Sequence, residues 1–302
     1  MIRRTNNLSI TTCALCRNSN DLRDSHIIPR FVFDWAKRTS ATGYLRLGLA
    51  PNQRVQDGFI ERLLCGACED RLNKFETPTA KQIFFPLHEK NTRELKYGAW
   101  FEKFCASIAW RTLILYRGVG LDELSPETLK NVDDALETWR MFLIDEIAAP
   151  SPFDLFAIPL DAIQSTNGRG VPPNFNQYLL RKIDPGVLNH QGFPLVYAKL
   201  CRLLVIGSLS WDDPKAMRKA RVNHGQGNIG KAIAIPEFIG TYLAERAKHA
   251  HELQSQISDR QMDRISQTMD KDFERTVNSE SFAALTRDVN MFGDAAFAKK
   301  RR

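Results

Sequence analysis

The six cysteines of this 302-residue chain are unevenly distributed, and four of them constrain it more than any other residues do. Cys13 and Cys16 form one C-x-x-C pair and Cys65 and Cys68 a second, with residues 17–64 between them. A C-x-x-C turn offers two thiolates to one tetrahedral Zn²⁺, and two such turns complete the ligand set. In a reducing compartment, cysteines so paired favour a metal over a disulfide. The ion's binding energy then becomes folding energy for a small, loop-rich segment. Cys13, Cys16, Cys65 and Cys68 are therefore expected to hold one structural Zn²⁺. Cys105 and Cys201 stand alone among apolar residues and are expected in the core.

The chain is long for a single core, and its texture changes twice. Residues 1–90 hold the cysteine pairs. Within them, 22–29 reads as a short strand ending at Pro29, 31–37 as a turn or two of helix, and 39–58 as a Gly- and Asn-punctuated loop. The second cysteine pair opens a helix expected to run through Glu76 and stop before Pro78. Residues 91–150 form a helical connector. Phe101, Phe104, Cys105, Ile108 and Leu115 fall at helical spacing there, and Pro126 behind Ser125 starts a second helix running to Ile147. After the Ala149-Pro-Ser-Pro linker, residues 151–302 read as a mixed domain. Strands are expected at 153–163, 178–183 and 195–209, with turns at Asn167-Gly, Asp184-Pro-Gly and Gln191-Gly. Long helices follow Pro236, and 299–302 reads as a solvated basic tail.

Charge sets mild limits on function. The net charge is +7, and residues 1–90 carry 14 Lys and Arg against 9 Asp and Glu. That bias suits a polyanionic partner without requiring one. The basic start at 1–12 has no apolar stretch behind it, and the longest apolar run, 200–211, contains Arg202 and is too short to span a bilayer. A cytoplasmic protein without membrane contact is the expectation. Gly225-Gln-Gly-Asn-Ile-Gly matches the dinucleotide fingerprint G-x-G-x-x-G, yet it lacks the strand before and helix after that the fingerprint needs. Lys215, Arg218, Lys219 and Arg221 beside it make a basic cluster suited to phosphate or simply to solvent.

Two further patterns bear on chemistry. His26, in Asp24-Ser25-His26-Ile27-Ile28-Pro29, closes the first expected strand, where an imidazole can serve as a general base for water or as a structural hydrogen-bonding group. On the helix after the second cysteine pair, Glu69, Asn73 and Glu76 fall at i, i+4 and i+7 and share a face. Three oxygen-bearing side chains in one stripe suit a hard divalent cation, and they equally suit a solvated surface.

Taken in order, C-x-x-C, a strand ending in His-Ile-Ile-Pro, and Leu-Leu-Cys-x-x-Cys opening a helix resemble the HNH endonuclease family over residues 13–76. The resemblance implies a zinc-stapled ββα module, with His26 as the general base. It also implies a catalytic divalent ion nearby, with Asn73 at the helical ligand position. Mg²⁺ or Mn²⁺ held by Asp24 and Asn73, with Glu76 as a further candidate, is the expectation for this chain, and Arg30 or Lys74 the expected phosphate contact. The chain departs from the family pattern at Ser25, where a metal-binding Asp or His usually stands, and at Glu69, where His or Asn is frequent. The usual asparagine before Leu-Cys is also missing, with Asp57 and Glu61 the nearest polar residues. The expected fold class is α+β: an N-terminal zinc-bound HNH-like ββα module, a helical connector and a C-terminal mixed α/β domain. The expected function is metal-dependent cleavage of nucleic acid, DNA before RNA, in phage defence or a mobile element. A protein partner could dock on the C-terminal domain. The alternative is a non-catalytic zinc module that binds nucleic acid or protein.

Overall fold

The computed structural model describes residues 10–18, 20–92, 94–117, 121, 124–166, 170–190, 193–210, 215–230 and 235–298. The expected turns at Asn167-Gly and Gln191-Gly, and the basic tail at 299–302, lie outside them. With 51% helix and 20% strand, the chain is mixed α/β.

Burial along β1 (Leu22–His26) puts Leu22 and Ser25 inward and leaves Arg23 and Asp24 exposed. Helix α1 (Arg30–Arg38) follows Pro29 and buries Val32, Phe33, Trp35 and Ala36, the spacing of one helical face. The stretch expected as a plain loop is instead a hairpin of β2 (Leu45–Leu47) and β3 (Ala50–Val55). Its polar sequence hides the strands, which Arg46 and Arg54 stabilise by lying 5.4 and 3.9 Å from the Tyr44 ring. Next comes β4 (Ile60–Cys65), paired antiparallel with β1 from Leu22↔Cys65 to His26↔Ile60, with an irregularity between Arg23 and Asp24.

Helix α2 (Gly66–Thr79) does not stop before Pro78. It continues through a π-helical turn at Ala80–Phe84 into α3 (Phe85–Glu89). Pro78 deprives only the carbonyl of Lys74, an exposed residue, of its donor, while buried Thr79, Ala80, Ile83 and Phe84 reward continuation.

A short β5 (Leu95–Tyr97) leads into α4 (Ala99–Arg117), whose residues from Phe104 to Leu113 are all buried. Helix α5 (Pro126–Leu143) starts as expected, Ser125 accepting from the Thr128 N–H at 3.2 Å. Then follow β6 (Leu155–Pro159), α6 (Phe175–Arg181), β7 (Ile183–His190), β8 (Phe193–Leu200), β9 (Leu203–Ser208) and β10 (Gly227–Ile229). Strands β6-β9-β8-β7 form an antiparallel sheet in that order.

Three expectations fail in this region. The expected strand at 178–183 is helix α6. The apolar run 195–209 is two strands joined by a turn at Cys201, whose φ is 56°. Asp184-Pro-Gly lies within β7, an edge strand, where proline's missing N–H is tolerated.

The sheet is covered on both sides. Leu155, Ala157, Val196, Ala198, Leu203 and Val205 pack with α4 and α5 in one core cluster, which also contains Cys13, Cys65 and Cys68. Their strand neighbours Phe156, Ile158, Leu195, Tyr197, Leu204 and Ile206 pack with α6 and α7 (Glu237–Gln254) in the other. Helices α8 (Asp259–Lys271), α9 (Phe273–Val277) and α10 (Glu280–Phe292) complete the chain. Cys105 and Cys201 are fully buried, as expected. No described helix is long and apolar enough to cross a membrane.

Candidate metal centre

The loop carrying Cys13 and Cys16 is a tight turn docked on β4. Arg17, at φ 61°, donates its N–H to the Cys13 carbonyl at 2.8 Å. Ala14 N–H reaches the Leu63 carbonyl at 3.0 Å, and Leu15 is sealed beneath with no exposure. Strand β4 ends on Cys65, which is also the N-cap residue of α2, so Cys68 stands in the first helical turn. The end of the strand and the start of the helix thus aim two thiols at the pair held by the turn.

All four sulfurs lie within 4.8 Å of one another, and Cys16 Sγ to Cys65 Sγ is 3.8 Å. A Zn–S bond of about 2.3 Å in a tetrahedron requires sulfurs about 3.8 Å apart, so the cluster can hold a metal ion such as zinc. Its electrostatics favour a cation. Burial pushes the Cys65 and Cys68 thiols up, and neighbouring sulfurs add to this at Cys68. At Cys13 burial acts the same way, but N–H groups of Cys16, Cys65 and Leu15 outweigh it and bring the thiol down to about 7. The Cys13 thiolate forms readily while Cys65 and Cys68 resist, until a divalent ion offsets the repulsion between sulfurs.

His26 ends the strand that pairs with β4. Its side chain is 22% exposed, and Nε2 lies 4.0 Å from Asp57 Oδ1. Nε2 itself is shielded and has no hydrogen-bond partner among the described residues. Asp57 lies in a bend at residues 56–57, and the next residue, Gly58, packs against the Phe33 ring. A Cβ at Gly58 would sit 1.8 Å from that ring, so only glycine fits. Ser25 turns the other way, accepting from the Leu64 N–H at 3.1 Å inside the core. Asp24, two residues before His26, shares its side of β1 and is exposed.

The residues expected around a second metal have the following surroundings. Asn73 is exposed and accepts from the Thr77 hydroxyl at 3.1 Å. Glu69 has a shielded Oε1 with no hydrogen-bond partner among the described residues. Glu76, expected to face a cation with Asn73, instead accepts from Arg111 Nη2 at 2.7 Å. Arg30 is exposed and lies 3.4 Å from Asp34, and Lys74 is exposed. Among the described residues, only the four cysteines bring three or more His, Cys, Asp or Glu ligand atoms together.

The sequence reading missed Arg111, which is 1% exposed and also donates to the His26 carbonyl at 2.7 Å. Its signal was a charged residue on the stripe of Phe104, Ile108 and Leu115, where an apolar one belongs. The G-x-G-x-x-G segment has a packing role instead. Gly227 in β10 faces Tyr97, whose hydroxyl oxygen a Cβ would approach to 2.2 Å. Arg221, from the neighbouring basic cluster, pairs with Asp154.

Comparison with protein-family models, with curated proteins and with solved structures finds no match to this chain.

Proposed function

We propose that this protein is a metal-dependent endonuclease of the HNH type, cleaving phosphodiester bonds of nucleic acid, with DNA the first substrate to test. The observation that carries the proposal is the state of His26. His88 shows what full structural engagement looks like, bonding the Phe84 carbonyl at 2.7 Å and the Arg202 N–H at 3.0 Å. His26 has a half-buried ring at a strand end, an unpartnered Nε2 and a carboxylate 4.0 Å away. Asp57 favours the proton on Nε2, which leaves Nδ1 as the basic nitrogen for a water molecule.

Asp24 and Asn73 supply the oxygen donors a Mg²⁺-class ion takes, and both are exposed to incoming phosphate. Such an ion, when bound, neutralises charge on the leaving oxygen. Arg30 and Lys74 offer cations for a neighbouring phosphate. The four-cysteine centre serves as the staple that keeps strand and helix in register. The wider setting, phage defence or a mobile element, rests on the family resemblance alone.

A specific observation also favours a second reading. Since only the cysteines converge as ligands among the described residues, a zinc module that binds nucleic acid or a protein partner without cutting is the alternative. Plasmid incubated with purified protein and Mg²⁺, Mn²⁺ or Ni²⁺, beside a chelated control, separates the two. Cleavage by wild type should fall on the order of 10²- to 10⁴-fold in His26→Ala, while DNA affinity stays within a few-fold. Firm DNA binding with no cleavage under any metal would give the second reading precedence.

A further inference from the structure

Arg111 of α4 hydrogen-bonds to His26 and to α2 at once. Its guanidinium is nearly sealed from water, a costly position for a permanent charge unless each arm is engaged. All three arms are. Nη1 donates to the His26 carbonyl at 2.7 Å, Nη2 to Glu76 Oε1 at 2.7 Å and Nε to the Ser107 carbonyl at 3.3 Å.

His26 is the last residue of β1, where the ladder ends and the backbone would otherwise be loosely held. Three constraints fix it instead. Ile60 lies opposite it across the ladder, Ile27 N–H bonds the Phe59 carbonyl at 2.9 Å, and Arg111 takes the His26 carbonyl. The second arm reaches Glu76, one helical turn beyond Asn73 on α2. One guanidinium therefore ties the backbone that carries the imidazole to the helix that carries the candidate metal ligand. It comes from a helix outside the span closed by the cysteines.

Building on the nuclease reading, we infer that Arg111 is a positioning residue for His26 and that Glu76 is its anchor rather than a ligand of the catalytic ion. The planar fork matters because it reaches a carbonyl and a carboxylate at once, which a lysine cannot do in the same geometry. A general base displaced by as little as about 1 Å can cost roughly 10² in rate without changing how substrate binds.

The test uses the full chain as wild type, Arg111→Lys, Glu76→Gln and the double variant Arg111→Met/Glu76→Gln, which removes both charges and leaves none buried alone. Four quantities are measured: zinc content, thermal midpoint, DNA affinity by anisotropy, and single-turnover plasmid cleavage against Mg²⁺ or Mn²⁺ concentration. The double variant and Arg111→Lys should keep one zinc per chain and bind DNA within about 3-fold of wild type, while cleaving roughly 10- to 100-fold more slowly at saturating metal. Glu76→Gln should also slow cleavage, with the metal concentration for half-maximal rate unchanged. Folded variants that cleave at the wild-type rate would overturn the inference. So would a Glu76→Gln whose only defect is a raised metal requirement, since that marks a ligand. Unfolding of all three variants would make the pair purely structural and overturn it as well. A wild type that fails to cleave with any of the metals sinks the nuclease reading itself, and the inference with it.

Discussion

His88 sits between the Phe84 ring, stacked with centroids 3.9 Å apart, and Trp35 at 4.6 Å. Burial, with the charges of Arg202, Lys199 and Arg181 adding to it, draws its imidazole down to about 3. The folded protein therefore keeps it neutral where the unfolded chain protonates it, below about 6.5. Between those values the unfolded state binds more protons, so stability falls as the pH falls through that window, by at most about 1.4 kcal/mol per pH unit for one group. Burial raises the carboxyls of Glu102 and Asp288, which acts in the opposite direction, so a comparison within one position is needed. In urea unfolding from pH 6.5 to 4.5, His88→Gln should be less stable at neutral pH but lose stability with acid more shallowly than wild type. Parallel slopes would mean His88 takes up its proton in the fold. At the same scale, Asp24→Ala tests the ligand assignment. It should raise the Mg²⁺ or Mn²⁺ concentration for half-maximal cleavage and leave zinc content unchanged, because the zinc set consists of sulfurs alone. Wild-type metal dependence in Asp24→Ala, with cleavage abolished in Glu69→Ala, would reassign the ligand to Glu69.

Helix α6 shows why some elements were legible and others not. Its first N–H groups are capped from α10, where Asp288 accepts from Asn176 N–H at 2.8 Å and Gln177 N–H at 2.9 Å. Nothing near Tyr178 announces a cap that arrives from residue 288, so apolar Tyr178 to Ile183 read as a strand. Asp288→Ala strands one buried and one part-buried donor and should cost roughly 2–4 kcal/mol, with Asp288→Asn between it and wild type, by denaturant unfolding. A loss under about 0.5 kcal/mol, the range of an ordinary surface substitution, would show the cap to be dispensable. The same logic covers the other misses. The 195–209 run is largely apolar because β8 and β9 bury both faces, which erases alternation and hides the turn at Cys201. The β2–β3 hairpin is hidden for the opposite reason, being polar. What the sequence did disclose was local chemistry: the cysteine spacing, the Ser125 cap, the helical stripe of α4 and the strand ending at His26. The partners of those residues come from elsewhere in the chain: nothing local ties Asp57 to His26, and Arg111 shows only as a charged residue on an apolar stripe.

At the scale of the whole molecule, five arginines from later in the chain donate, among the described residues, to backbone carbonyls within the first ninety residues, Arg275 reaching Ser40 at 3.1 Å. Arg111 reaches His26 at 2.7 Å, Arg140 reaches Leu15 at 3.2 Å, Arg181 reaches Ala36 at 2.8 Å and Arg202 reaches Leu87 at 2.8 Å. Three of the four cysteines also share one apolar cluster with Phe104 and Trp110 of α4 and with the inner face of the sheet. A metal at the cysteines would therefore stabilise more than the turn that holds it. Structural zinc contributes about 10–16 kcal/mol in small peptide systems, as much as the entire stability of an ordinary domain. Cys65→Ser should consequently drop zinc from one per chain to near none and unfold the protein rather than lower its midpoint slightly. The shared core makes a stronger demand on wild type. Near-ultraviolet signals, with Trp35 in α1 and Trp110 and Trp139 in α4 and α5, should be lost together with helical signal in one transition. A chelator should move all these probes by the same amount. If residues 1–90 instead melt in a separate step, or fold alone with zinc when expressed as a fragment, the arginine contacts are mere surface trim and the cysteine module is autonomous. Coincident loss, with no folded fragment, would establish that the metal centre and the sheet belong to one cooperative unit.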